Sequence, residues 1–115
     1  MNLNILLNKL ETESDTVNFS DVITVIDNNY HYSPTGFING DVVNTIGTNE
    51  GSCKIFAFAK LHELNEQQTL ACFGDYYRKD VLLNPDGTDH ANIRNFMLTG
   101  WSGVKFEDEV LRLLK

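Results

Sequence analysis

The stretch Gly51–Asp80, GSCKIFAFAKLHELNEQQTLACFGDYYRKD, constrains the fold most, because it reads as two helices with their own start and stop signals. Ser52, after Gly51, has an N-cap side chain that can accept a free first-turn amide hydrogen. Ile55, Phe56, Ala57, Phe58, Ala59 and Leu61 then follow almost without polar interruption. A helix apolar most of the way round belongs inside a core. A buried strand over Lys54–Ala59 is the rival reading, which the alanines and the continuation to Leu64 disfavour. Asn65 with Gln68 three positions on is a capping-box pattern, so a second helix is expected from Glu66, with Leu70, Phe73, Tyr77 and Val81 on one face. Arg78 and Lys79 fall in its last turn, where cations complement the helix dipole. Asn84-Pro85-Asp86-Gly87 then has the residues of a turn.

Around this centre, Leu3, Leu6, Leu7 and Leu10 form an N-terminal helical stripe. Asn18 or Ser20 can cap a helix over Asp21–Tyr30 with Val22, Ile23, Ile26 and Tyr30 inward, although Val-Ile-Thr-Val-Ile is also good strand composition. Ser33-Pro34 reads as a cap followed by Pro at the first helical position. Phe37–Val43 reads as a tight hairpin with Asn39-Gly40 at its tip, competing with a single helical turn from Pro34 followed by an irregular loop, and Asn44–Gly51 reads as a loop under either. Thr88 or Asp89 can cap a helix through Ile93, Phe96 and Met97 that stops at Gly100. Phe106, Val110, Leu113 and Leu114 suggest a closing amphipathic helix, with Glu107-Asp108-Glu109 at its start and Arg112 and Lys115 at its end. The expected fold is mostly α, a compact bundle of about five or six helices with room for a small β-hairpin near 36–44. An α+β fold is the alternative, and residues 1–115 are expected to form a single domain.

Several of these words together resemble a known family. Phe19-Ser20-Asp21-Val22, Asn39-Gly40-Asp41-Val42-Val43-Asn44, Gly51-Ser52-Cys53-Lys54-Ile55-Phe56-Ala57-Phe58-Ala59, Ala71-Cys72-Phe73-Gly74-Asp75-Tyr76-Tyr77-Arg78 and Gly87-Thr88-Asp89-His90 occur in order. Over about Val17–Phe106 the chain is similar to the HopJ family of type III effector-like proteins. The resemblance implies a bacterial protein and raises delivery into a host cell. It carries over no catalytic residue.

Charge narrows the partners. The net charge is −7, and through Glu50 one basic residue, Lys9, stands against seven acidic ones. A polyanion is repelled by such a surface, so nucleic acid is not an expected partner. No apolar run approaches the ~20 residues that span a bilayer, and no secretory signal opens the chain, so a cytoplasmic protein without a membrane partner is expected. Cys53 and Cys72 sit in apolar helical patterns and read as free buried thiols.

Candidate chemistry is sparse. Cys53 near a helix start could be a nucleophile with His62 or His90 as base, although core burial is the simpler reading. His31, His62 and His90 are spread singly, giving no metal site, and no phosphate loop or dinucleotide fingerprint implies a cofactor. Asp75 and Asp80 are expected to be solvated or to pair with Arg78 and Lys79, which gives no support to paired-carboxylate chemistry. Tyr76, Tyr77, Arg78, Asp89, His90 and Arg94 flank one turn and form the candidate binding group, suited to a protein partner or a small anionic ligand, although the simpler reading has Tyr77 in the core, Asp89 as a cap and His90, Arg78 and Arg94 tying the turn together by hydrogen bonds. Three functions are open: a non-catalytic binding or adaptor domain, a small enzyme using a Cys–His pair, and an effector delivered into a host cell.

Overall fold

The structure, a computed structural model, describes residues 1–114. Helix α1 (Leu3–Thr12) is capped by Asn2, whose side chain accepts from the Ile5 amide, and it buries Leu6 and Leu10. A 3₁₀ turn, Ser14–Thr16, leads into α2 (Phe19–Asn29), which buries Val22, Val25 and Ile26. Strands β1 (Tyr30–Tyr32), β2 (Phe37–Asn39) and β3 (Val42–Asn44) follow, then α3 (Glu50–Leu61) and α4 (Glu66–Ala71). A π-helix (Tyr76–Val81) and α5 (Ala91–Thr99) precede a 3₁₀ turn (Gly100–Gly103), β4 (Val104–Phe106) and β5 (Leu111–Leu113).

The helices thus carry two small antiparallel sheets, β1–β5 and β3–β2–β4, and the fold is predominantly helical with α+β character. The centre is α3, as its unbroken apolar run requires: Ile55, Phe56, Phe58 and Ala59 are wholly buried. Phe56 meets Phe37, Phe73, Phe96 and Trp101 at ring separations of 5.0–6.4 Å. Trp101 keeps its indole N–H satisfied by donating to the Leu64 carbonyl at 3.1 Å. The capping box at α4 is fully formed, with the Asn65 side chain on the Gln68 amide and the Gln68 side chain on the Asn65 amide.

Several local expectations are corrected. The segment after Phe106 is no helix: Glu107 and Asp108 form a bend after which the Asp108 carboxylate accepts the Glu109 amide, and Leu111–Leu113 pair antiparallel with Tyr30–Tyr32. A distant strand partner overrides a weak helical pattern there. Lys115, the expected end of that helix, lies outside the described residues. Tyr30 begins β1 instead of closing α2, and Ser33-Pro34 starts no helix, the Ser33 amide donating to Val110 O at 2.8 Å. The hairpin forms with Gly40 and Asp41 between its strands, one position past the expected tip. Helix α3 begins at Glu50 behind Asn49, so Ser52 is inside the first turn and caps nothing. Nor does one helix run from Glu66 to Val81. It breaks at Gly74, whose φ of +60° is left-handed and whose missing side chain lets the Phe19 backbone nitrogen approach to where a Cβ would be 2.7 Å away.

Candidate functional site

The break at Gly74 is followed by the π-helix, whose wider turn sends both Tyr76 and Asp80 toward one residue, His90. The Tyr76 and His90 rings are 5.1 Å apart and inclined by 37°. Asp80 lies 3.0 Å from His90 Nε2, and Asp89 lies 3.8 Å from the same nitrogen. Phe19, at the start of α2, meets Tyr76 edge-on at 5.0 Å.

His90 is also the residue from which α5 departs. Its backbone is left-handed (φ 52°, ψ 50°), and Asn49 takes the same conformation ahead of α3 (φ 49°, ψ 46°). Neither side chain caps its helix, so the first-turn amides of both helices lack the acceptor that an ordinary N-cap supplies. The two helix starts line one cleft of about 330 Å³, whose other walls include Phe19, Phe73 and Tyr76. Ser52 and His90 line it as well.

Buried asparagines hold the two starts in register. Asn39 Nδ2 donates to Asn92 O at 2.7 Å and to Asn92 Oδ1 at 3.1 Å; Asn92 Nδ2 donates to Asn44 Oδ1 at 2.9 Å, which also accepts from Asn49 Nδ2 at 2.7 Å. Asn39, Asn44 and Asn92 are 0–5% exposed, so these bonds replace water the side chains have lost, except at Asn39 Oδ1, which is buried without a partner among the described residues. The hairpin thereby orients both α3 and α5.

Of the six residues singled out in the sequence, Tyr76 and His90 line the cleft, while Asp89 and Arg94 brace His90 from behind. Arg94 donates to the Asp89 carboxylate at 2.7 Å and to the Asn84 carbonyl at 2.8 Å, fixing the turn before α5. Its guanidinium holds the Asp89 carboxyl below the usual carboxylate range. Tyr77 is buried beside Gln67, and Arg78 reaches elsewhere, donating to the Val17 carbonyl at 2.6 Å. Asp75 pairs weakly with Arg78 and Lys79 at 3.6–3.7 Å, whereas Asp80, half exposed, faces His90. The sequence reading missed Asn49, Ser52, Phe73, Asn92 and Phe19. The signal available was a polar residue one or two positions before Gly51 and after His90, at starts that lacked a capping box.

The thiols lie apart from this cleft. Cys53 is 1% exposed and points its sulfur at Thr35 O, 3.6 Å away; burial pushes its pKa up, against smaller opposing hydrogen bonds from Tyr32 and Thr35. Burial pushes Cys72 up to about 12. His62 bonds Tyr30 and His90 bonds Asp80, and neither ring is hydrogen-bonded to a sulfur among the described residues. Among those residues no three His, Cys, Asp or Glu side chains group to hold a metal ion, and no helix is long and apolar enough to cross a membrane.

A largely helical domain whose hairpin sets two helix starts around a polar cleft is the class these features define. The chain belongs to the HopJ type III effector protein family, whose family model matches residues 3–111. It is similar to a crystal structure described as unknown function protein VPA0580, at 46% identity and a TM-score of 0.97, over 99% of this chain and 95% of that one. No curated protein matches the sequence.

Proposed function

We propose that this chain is a non-catalytic binding domain whose cleft takes a small anionic ligand. One observation carries the reading: the uncapped starts of α3 and α5 face the same cleft, which Ser52, His90 and Tyr76 also line. Free first-turn amides and the positive end of a helix dipole favour an anion, by about 0.3–1 kcal/mol for each exposed terminus. Two converging termini with hydroxyl and aromatic neighbours add direction to that attraction. Asp80 beside His90 and Glu50 in the first turn of α3 oppose bulky or highly charged ligands, which favours a compact anion with an apolar or planar portion against Tyr76 and Phe19.

Titrating inorganic phosphate and simple aromatic carboxylates against amide chemical shifts tests this. Gly51, Ser52, Ala91 and Asn92 are expected to move together and saturably, and His90→Asn, which tolerates the left-handed backbone, is expected to weaken binding about fivefold to tenfold. Shifts scattered over the lysines, or no saturation with any of these anions, would remove the reading.

A further inference from the structure

We propose that a second surface, sharing no residue with the cleft, docks an extended basic segment of a partner protein along the outer edge of β4. A groove of about 600 Å³ lies between α3, which supplies Ala57, Lys60 and Leu61, and the chain from Phe106 to Leu111. It continues past Lys60 and Glu63 into a depression of about 240 Å³ reaching Leu64, Trp101 and Val104. Both parts therefore follow β4 from one end to the other.

That edge is open. β4 pairs on one side with β2, in the register Phe37↔Phe106 and Asn39↔Val104. The Gly40 amide donates to Gly103 O and the Glu107 amide to Gly36 O, so residues 103, 105 and 107 direct their backbone groups at β2. Alternation in an antiparallel ladder turns the Phe106 N–H and the Val104 and Phe106 carbonyls the other way. Those three groups have no backbone partner among the described residues. An unpaired edge beside side-chain pockets is what strand addition uses: main-chain bonds supply affinity and alternate side chains supply selectivity.

Charge selects the occupant. Glu63, Asp108 and Glu109 line the groove against the single cation Lys60, whose ammonium lies over the Phe106 ring at 5.7 Å. Glu109 is engaged by Arg112 at 3.1 Å, whereas Glu63 and Asp108 make no ion pair among the described residues. Leu61, 55% exposed, lines the same groove and offers apolar contact there. A strand alternating apolar residues with Lys or Arg places its cations on the two carboxylates and its apolar side chains over Leu61 and Phe106.

The probe is an acetylated, amidated seven-residue peptide alternating lysine and valine, with the same peptide carrying glutamate for lysine as its counterpart. The basic peptide is expected to shift the amides of Lys60, Glu63, Phe106 and Asp108 saturably, and to bind more weakly as salt is raised. The double variant Glu63→Gln, Asp108→Asn, both surface changes, is expected to lose about tenfold in affinity. No saturable shift with the basic peptide, equal binding of the acidic peptide, or shifts centred on Tyr76 and His90 would each overturn the proposal. Loss of anion binding in the cleft leaves it untouched, since the two sites have different residues and different ligand charge.

Discussion

His62 ends α3 with its Nε2 2.5 Å from the Tyr30 hydroxyl and its ring 4.7 Å from Phe58. Either group can donate in that bond, so what opposes protonation of the ring is the burial of its charge away from water. Burial lowers the His62 pKa below 6.5 and raises that of Tyr30, both of which favour the neutral pair. Between the lowered folded value and 6.5 the unfolded chain binds the proton more readily, so stability from this pair is complete above pH 6.5 and drains away as pH falls below it. Melting temperatures measured from pH 7.5 to pH 5 are expected to fall more steeply for the natural protein than for His62→Gln. Parallel curves would mean that other groups set the acid sensitivity.

At the scale of elements, Gly74 decides whether α4 continues or yields to the π-helix. A Cβ at that left-handed position would sit 2.7 Å from the Phe19 nitrogen, so Gly74→Ala combines backbone strain of about 1–2 kcal/mol with a steric push on α2. A loss of about 2–4 kcal/mol in denaturant unfolding is expected, and a loss below about 1 kcal/mol would show that the junction can relax. The sequence signals that were legible here were local ones. The Asn65–Gln68 box, the buried run Ile55–Ala59 and the Phe37–Asn44 hairpin are each specified within a few neighbouring residues. Features set by distant partners carry no local signal: Leu111–Leu113 extends because it pairs with Tyr30–Tyr32, and the helix breaks where Phe19 packs against Gly74. The site followed the same division. Tyr76 and His90 stood out because they flank a turn, whereas Asn49, Ser52 and Phe19 join them only through folding, held by asparagines drawn from three separate elements.

Across the molecule, the two sheets close the chain around α3, one of them by joining residues from opposite thirds of the sequence. Leu111 is 4% exposed and Val110 5%, so the terminal segment contributes core as well as ladder. A chain ending at Val110 loses β5, exposes Tyr30 and is expected to melt at least about 10 °C lower; an unchanged melting temperature would make the β1–β5 pairing decorative. The charge distribution belongs to this scale too. With −6 of the net −7 carried before Gly51, the protein presents a lopsided field, and any anion that reaches the cleft does so against that field through short-range donors. The same clasp between Tyr30–Tyr32 and Leu111–Leu113 also bears on the order of assembly. Its partners are about 80 positions apart, so the chain must give up much of its freedom before their ladder returns anything. The helical centre can therefore acquire its shape early, while the strand at Tyr30 idles half-made, a sticky margin exposed to other molecules until its mate arrives.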